Sequence, residues 1–322
     1  MKKVYFLLPE GLLRPSTLFC AMEVLEKAND YYVNKGRKPF YDIKIIGQSA
    51  RQSLFNGQLM IKIDHSLGMA TPDIIIIPGL HAPNDYSLKK NKLLLAWIIE
   101  QYKKGCELAS LCTGSFVLAA TGLLDNEECS THWAAEDLFK KAFPNVRLRT
   151  DKIITDTNSI YTAGGSNSSL NLILHLVEKF NGRETALYCS KIFQIDIGSN
   201  TQLPYILFKG QKDHNDEAIK KAQQYIEANI NERVTVEYLA DKFAIPKRSF
   251  IRRFKKATDN VPVEYIQKVK MEAAKRSFEL KRENINEVMF SVGYTDAKAF
   301  RTIFKKITGI SPSEYQQKFR QN

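Results

Sequence analysis

At 322 residues the chain is long enough for two domains, with three as the outer limit. It is 44% hydrophobic and 25% charged, which excludes a disordered, collagenous or coiled-coil chain. Forty-seven lysines and arginines against 35 acidic residues leave a formal charge of +12, which suits a polyanionic partner but does not separate nucleic acid from a membrane surface.

Met1-Lys2-Lys3 precede only five apolar residues, too few for the hydrophobic region of a signal peptide. Residues 4–8, 41–46, 73–77 and 107–111 read as strands. The four consecutive isoleucines at 74–77 suit a strand covered on both faces. Residues 18–34 and 92–103 carry apolar side chains at helical spacing. Strand–helix alternation of this kind predicts an α/β domain, a flavodoxin-like parallel sheet sandwiched by helices, over residues 1–198. No apolar run approaches a membrane span. The five cysteines (Cys20, Cys106, Cys112, Cys129, Cys189) form no C-x-x-C pair. That is a reducing-compartment pattern without a disulfide framework, so the expectation is a cytoplasmic chain with no metal and no cofactor.

Residues 199–215 read as a linker, with the polar composition concentrated at 209–215. Beyond it the strand signal vanishes. Helices are predicted over 216–230, 236–243, 247–258, 262–282, 285–292, 296–308 and 312–319, an all-α domain spanning 216–322. Residues 242–282 hold 13 basic and 4 acidic side chains, so the positive excess concentrates there.

Within that domain a short amphipathic helix, the breaker Ala244-Ile245-Pro246 and a basic helix follow one another, which is the helix-turn-helix pattern. Phe250 and Phe254 form the buried stripe of the second helix, leaving Lys247, Arg248, Ser249, Arg252 and Lys255 outside. About 50 residues later the pattern returns: Gly293 suits the turn, Thr295 or Asp296 the N-cap, and Phe300 and Phe304 the stripe. The helix starting at Pro262 is about 27–30 Å long. That approaches the roughly 34 Å between successive major-groove faces, so one chain would present two reading heads. Asp296, Ala297, Lys298, Arg301 and Lys305 are the matching candidates for DNA contact in the second head.

Gly293-Tyr294-Thr295-Asp296, Phe300, Phe304-Lys305, Gly309-Ile310-Ser311-Pro312 and Tyr315 follow the signature of the AraC/XylS transcription regulators, and residues 216–322 resemble their DNA-binding domain. Thr302 stands where that family usually has arginine, and Asp259 where glycine is usual.

In the first half, Cys112-Thr113-Gly114 lies between a strand and a helix, the arrangement of a nucleophile elbow. Downstream, His132 could partner a cysteine nucleophile, although a histidine beside Trp133 is more often a packed residue. Ile76-Ile77-Pro78-Gly79, Ala109 to Gly114, Thr131-His132-Trp133, Ala163-Gly164-Gly165 and His175 to Glu178 resemble the PfpI-type branch of the class I glutamine amidotransferase-like superfamily. Fused to an AraC-type domain, the arrangement is similar to the GlxA-like regulators. In enzymatic relatives, an elbow cysteine works beside a histidine and a carboxylate from the loop after the first strand. Cys112 and His132 match the first two, whereas the regulators' usual aspartate aligns with Thr17, and Glu10 lies closer to the strand end.

The resemblance therefore implies a sensor or dimerisation domain, with Cys112, His132 and Glu10 as vestigial catalytic candidates. Glu10, Thr17, Gly79, Cys112, Thr113 and His132 are its pocket candidates. Expected partners are double-stranded DNA, an unidentified small-molecule effector and a second copy of the chain; an activator would also meet RNA polymerase. No membrane and no enzymatic turnover are expected. The rival reading is a cysteine-dependent hydrolase (amidase, peptidase or aldehyde-detoxifying) using Cys112 and His132. The remaining cysteines and Trp97 read as packing residues, and Gly164-Gly165 as an ordinary capped helix start.

Overall fold

A computed structural model describes residues 1–10, 13–54, 57–69, 71–81, 91–198 and 201–320. The chain divides into two compact units, Met1–Gln202 and Leu203–Asn322.

In the first unit the elements run β1 (Lys2–Leu8), α1 (Pro15–Val33), β2 (Tyr41–Gly47), β3 (Arg51–Leu54), β4 (Leu59–Lys62), β5 (His65–Ser66), β6 (Ile74–Ile77), α2 (Lys92–Lys103) and β7 (Glu107–Ser110). They continue with α3 (Ser115–Ala119), β8 (Glu128–Cys129), α4 (Glu136–Ala142), β9 (Arg147–Leu148), β10 (Ile154–Thr157), β11 (Ile160–Ala163), α5 (Ser166–Asn181) and α6 (Arg183–Phe193). Seven strands form one sheet in the order β10-β11-β7-β6-β1-β2-β5. Every pairing in it is parallel except the β10–β11 hairpin at the edge.

Alternation along the central strands builds a core on each face. Val4, Phe6 and Leu8 join Ile74 and Ile76 against α1 and α5. Tyr5 and Leu7 join Ile75 and Ile77 against Leu94, Trp97 and Ile98 of α2. The isoleucine run is thus shared two and two between the layers, which is why it shows no polar alternation. Helix α1 begins at Pro15, ahead of the expected 18, because a proline at the first helical position needs no N–H partner. The short strands β3, β4, β5 and β8 to β11 lie outside the expected strands.

Cys106, Cys129 and Cys189 are buried, and burial pushes the thiols of Cys106 and Cys129 up to about 12 and that of Cys189 to about 11. Such thiols act as packing groups, as does the nearly buried Trp97.

The second unit contains α7 (Glu217–Ala228), α8 (Val236–Lys242), α9 (Lys247–Thr258), α10 (Pro262–Leu280), α11 (Ile285–Ser291), α12 (Ala297–Thr308) and α13 (Pro312–Phe319). It has two cores. Phe250, Phe254 and Tyr265 centre the first, and Phe300, Phe304, Phe278 and Tyr315 the second. Helix α10 contributes Tyr265 and Ile266 to one and Met271, Ala274 and Phe278 to the other.

Residues 199 and 200 of the expected linker lie outside the described residues. Gln202 is buried in the first unit. Phe208 packs edge-on against Tyr265, and Tyr205 against Phe319, in the second.

Candidate nucleic-acid interface and elbow site

Helices α8 and α9, then α11 and α12, are the two helix-turn-helix units. Each second helix buries two phenylalanines one turn apart, with ring centroids separated by 5.7 Å (Phe250, Phe254) and 5.8 Å (Phe300, Phe304). A tyrosine meets the second ring edge-on in both, Tyr265 at 5.2 Å and Tyr315 at 5.4 Å. Thr258 and Thr308 each donate to the carbonyl four residues back. This repeated packing fixes which face of each helix is turned outward.

On α9 that outward face carries Lys247, Arg248, Arg252 and Lys255, all exposed, with Ser249 half-buried. Lys247 also pairs with Glu237 of α8. Arg253 points elsewhere: its Nε and Nη2 bond both carboxylate oxygens of Asp216, at 2.8 and 2.7 Å, tying α9 to the start of α7. On α12, Lys298, Arg301 and Lys305 are exposed and Ala297 is half-buried. Asp296 caps α12, its Oδ1 accepting from the backbone N–H groups of Lys298 and Ala299 at 2.8 and 3.3 Å. A carboxylate placed there satisfies backbone donors of the first helical turn.

In the first unit, Leu111 donates to the carbonyl of Ile77, which holds the strand end beside β6. The chain then turns sharply at Cys112, whose φ is 55°, and enters α3. Gly114 permits this approach, because a Cβ there would collide with the carbonyl oxygens of Ile77 and Pro78. A left-handed, non-glycine residue at a strand-to-helix turn is the strained geometry of an elbow.

The fully buried Cys112 lies against Gly79, where a Cβ would come within 3.2 Å of the Cys112 Cβ and 3.4 Å of the Arg14 Cδ. Thr17, 2% exposed, accepts from the Gly79 N–H at 2.9 Å and donates to the Arg14 carbonyl at 2.8 Å. Thr113 bonds both the N–H and the carbonyl of Leu80, at 2.8 and 2.6 Å. The Glu10 carboxylate accepts from Ser49 at 2.9 Å, and its backbone N–H donates to Asn91.

His132 is half-buried, and its Nδ1 accepts from the Ala134 N–H at 3.1 Å. That bond uses the Nδ1 lone pair, so the neutral ring carries its proton on Nε2. Burial and then the charge of Arg14 hold the His132 pKa below its ordinary value, favouring this neutral form. A neutral ring with one nitrogen accepting and the other protonated is poorly prepared to take a thiol proton.

Two residues at this site escaped sequence reasoning. Arg14 sits half-buried beside Gly79, its Nε donating to the Leu80 carbonyl at 3.3 Å. Gln202 reaches the carbonyls of Thr131, Thr150 and Lys152 with its Nε2 at 3.0–3.1 Å and accepts from the Gly165 N–H at 2.7 Å. Gln202 thus serves Gly165 before α5. Gly164 has no room for a side chain because Gln202 fills that space.

Among the described residues no helix is long and apolar enough to cross a membrane, and no group of His, Cys, Asp and Glu side chains converges on a metal position.

Comparison with known proteins matches both units. The DJ-1/PfpI family signature covers residues 2–179, and a helix-turn-helix domain signature covers residues 239–318. The chain is 28% identical over 218 residues to the HTH-type transcriptional regulator GbdR of Pseudomonas aeruginosa, an alignment covering 67% of this chain and 59% of that one. It thus spans about three fifths of that regulator's length. It is also 33% identical over 116 residues to isonitrile hydratase of Pseudomonas putida, covering 35% of this chain and 48% of the enzyme. Among solved structures, an AraC family transcriptional regulator from Pseudomonas putida superimposes with a TM-score of 0.51 at 22% identity, covering 60% of this chain and all of that one. That likeness concerns the fold.

Proposed function

Because the chain belongs to the DJ-1/PfpI family and carries an AraC-type helix-turn-helix domain after it, we propose that it is a sequence-specific DNA-binding transcription regulator. The observation that carries this reading is the repeated unit in which a phenylalanine stripe is buried and a cationic face is left exposed. Arg248 and Arg252 are the base-reading candidates on α9, since a guanidinium fork pairs with guanine O6 and N7. Lys247, Ser249 and Lys255 flank them, with Lys298, Arg301 and Lys305 in the second head.

The first unit acts as a non-catalytic sensor or pairing module, working in the cytoplasm as part of a homodimer. Thr17, occupied with backbone groups, and Glu10, engaged by Ser49, support this over turnover. Arg14 gives the elbow site a fixed positive charge, so effectors with a carboxylate or phosphate group are the first class to screen. Control of DNA binding by such a ligand requires different affinities for two arrangements of the protein.

In-vitro selection from random duplex DNA, at near-physiological salt, tests the reading. Full-length protein should enrich two elements about one helical turn apart. Arg248→Ala/Arg252→Ala should lose at least tenfold, because each bidentate pair discriminates by about 1–3 kcal/mol. Binding that is salt-sensitive but blind to sequence would sink the proposal.

A cysteine-dependent hydrolase is the second reading, favoured by the strained elbow at Cys112. It requires rapid iodoacetamide labelling of Cys112 near pH 6; a thiol reacting only above about pH 8 would remove it.

A further inference from the structure

Helix α10 joins the two helix-turn-helix units, and at its change of sides stands Lys270, only 6% exposed. An ammonium is costly to bury, and desolvation alone holds its pKa below the ordinary value. No carboxylate lies within ion-pair distance of it among the described residues. Its ammonium instead donates to two backbone carbonyls from different halves of the domain. One is Glu232, at 2.8 Å, in the loop leading into α8. The other is Val292, at 3.0 Å, in the turn between α11 and α12. The ring of Tyr294, from that same turn, lies 5.5 Å from the ammonium.

Gly293 completes the junction. A Cβ there would fall 2.5 Å from the Asn231 carbonyl oxygen and 2.8 Å from the Lys270 ammonium. The turn of the second helix-turn-helix is therefore seated directly on the loop entering the first helix-turn-helix. A methionine would fill much the same space without desolvating a charge, but it would leave the Glu232 and Val292 carbonyls without this donor. A donor that must reach two particular carbonyls also fixes a geometry, because both bonds form only when the two loops stand at one relative position. Helix α10 sets how far apart the units are; the junction sets their rotation about its axis.

We propose that Lys270 is a specificity-determining positioning residue: by pinning the two turns together it restricts the protein to one separation between its two DNA elements. This rests on the DNA-binding reading and adds a property of the target that the cationic faces alone do not dictate.

The test uses full-length protein and the two elements obtained by selection, rebuilt with the intervening DNA lengthened or shortened by one base pair. Each step rotates one element by about 34° relative to the other, given roughly 10.5 base pairs per turn. Wild type should prefer the selected spacing at least tenfold, and Lys270→Met should reduce that preference to threefold or less. Lys270→Arg, which keeps a cationic donor, should restore most of it. An unchanged preference in Lys270→Met, even with uniformly weaker binding, would overturn the proposal by making the residue merely structural. A wild type that binds both elements but ignores spacing overturns it as well, with the DNA-binding reading intact. Failure of wild type to bind any sequence selectively would bring down both. If circular dichroism finds Lys270→Met unfolded, Lys270→Gln is read by the same criteria.

Discussion

The two helix-turn-helix units are offset by 50 residues at Phe250 and Phe300, Phe254 and Phe304, Thr258 and Thr308, Pro262 and Pro312, and Tyr265 and Tyr315. Their cores are nearly interchangeable; their turns and caps are not. The first places Ala244 and Asp259 in the left-handed region, with φ of 52° and 55°. The second uses Gly293 and Gly309, at 73° and 77°. Helix α12 is capped by Asp296, while α9 follows Pro246, which offers no side-chain acceptor. Where α9 has Arg253 bonded to Asp216, α12 has Ile303 packed on its core. The second head is thus held by local backbone fit, and the first tolerates strain while leaning on an ion pair with α7. The cations divide the other way, six on α9 and four on α12. The better-adapted scaffold does not carry the more heavily charged face.

Exchanging the turn residues should expose this asymmetry most sharply. Gly293→Ala combines a left-handed alanine with a clash against the Asn231 carbonyl and should cost about 3 kcal/mol or more. Urea denaturation of the full chain, followed by tryptophan-independent circular dichroism, would measure it. A loss below about 1 kcal/mol would mean that the two turns are not seated on one another. Asp296→Ala should come next, costing about 1 kcal/mol through the lost cap. An Asp296→Asn control, which keeps an acceptor, should recover most of it. The reverse exchange, Ala244→Gly, should stabilise by about 0.5–1 kcal/mol, because relief of left-handed strain outweighs the added freedom of the unfolded chain. A destabilised variant would show that Ala244 is held by packing that its dihedral angle does not reveal.

The repeat itself was legible in the sequence, because its phenylalanines, prolines and glycines recur at fixed spacing and each type has a local structural consequence. The central strands were legible for a similar reason, as continuous apolar runs. Cys112-Thr113-Gly114 announced the elbow, but nothing nearby announced Gln202, which serves Gly165 from 37 residues away. Arg14 likewise reads as one more cation in a basic chain until Gly79 is folded against it. Lys270 sits in a helix rich in lysine and arginine, and only the approach of two distant loops distinguishes it from a solvated neighbour. Periodicity records what a residue does within its own element. These side chains act between elements.

The ion pair allows the comparison to be read by pH. Its side-chain bonds with Arg253 are the main reason that the Asp216 carboxyl titrates below its usual value of 3.8. A carboxyl whose folded pKa is depressed contributes stability above its unfolded value and loses it as pH falls through the folded one. The pair is partly solvent-exposed, so the contribution should be below about 1 kcal/mol and weaken with salt. Wild type should therefore exceed Arg253→Met in denaturation midpoint at pH 6, and the gap should close as the pH is lowered below 3.8. Hydrogen exchange should place the difference in α7 and α9 and leave α12 unaffected. A gap that persists unchanged at low pH would assign Arg253 a packing role, making the first unit's attachment apolar like that of Ile303 and removing this part of the asymmetry.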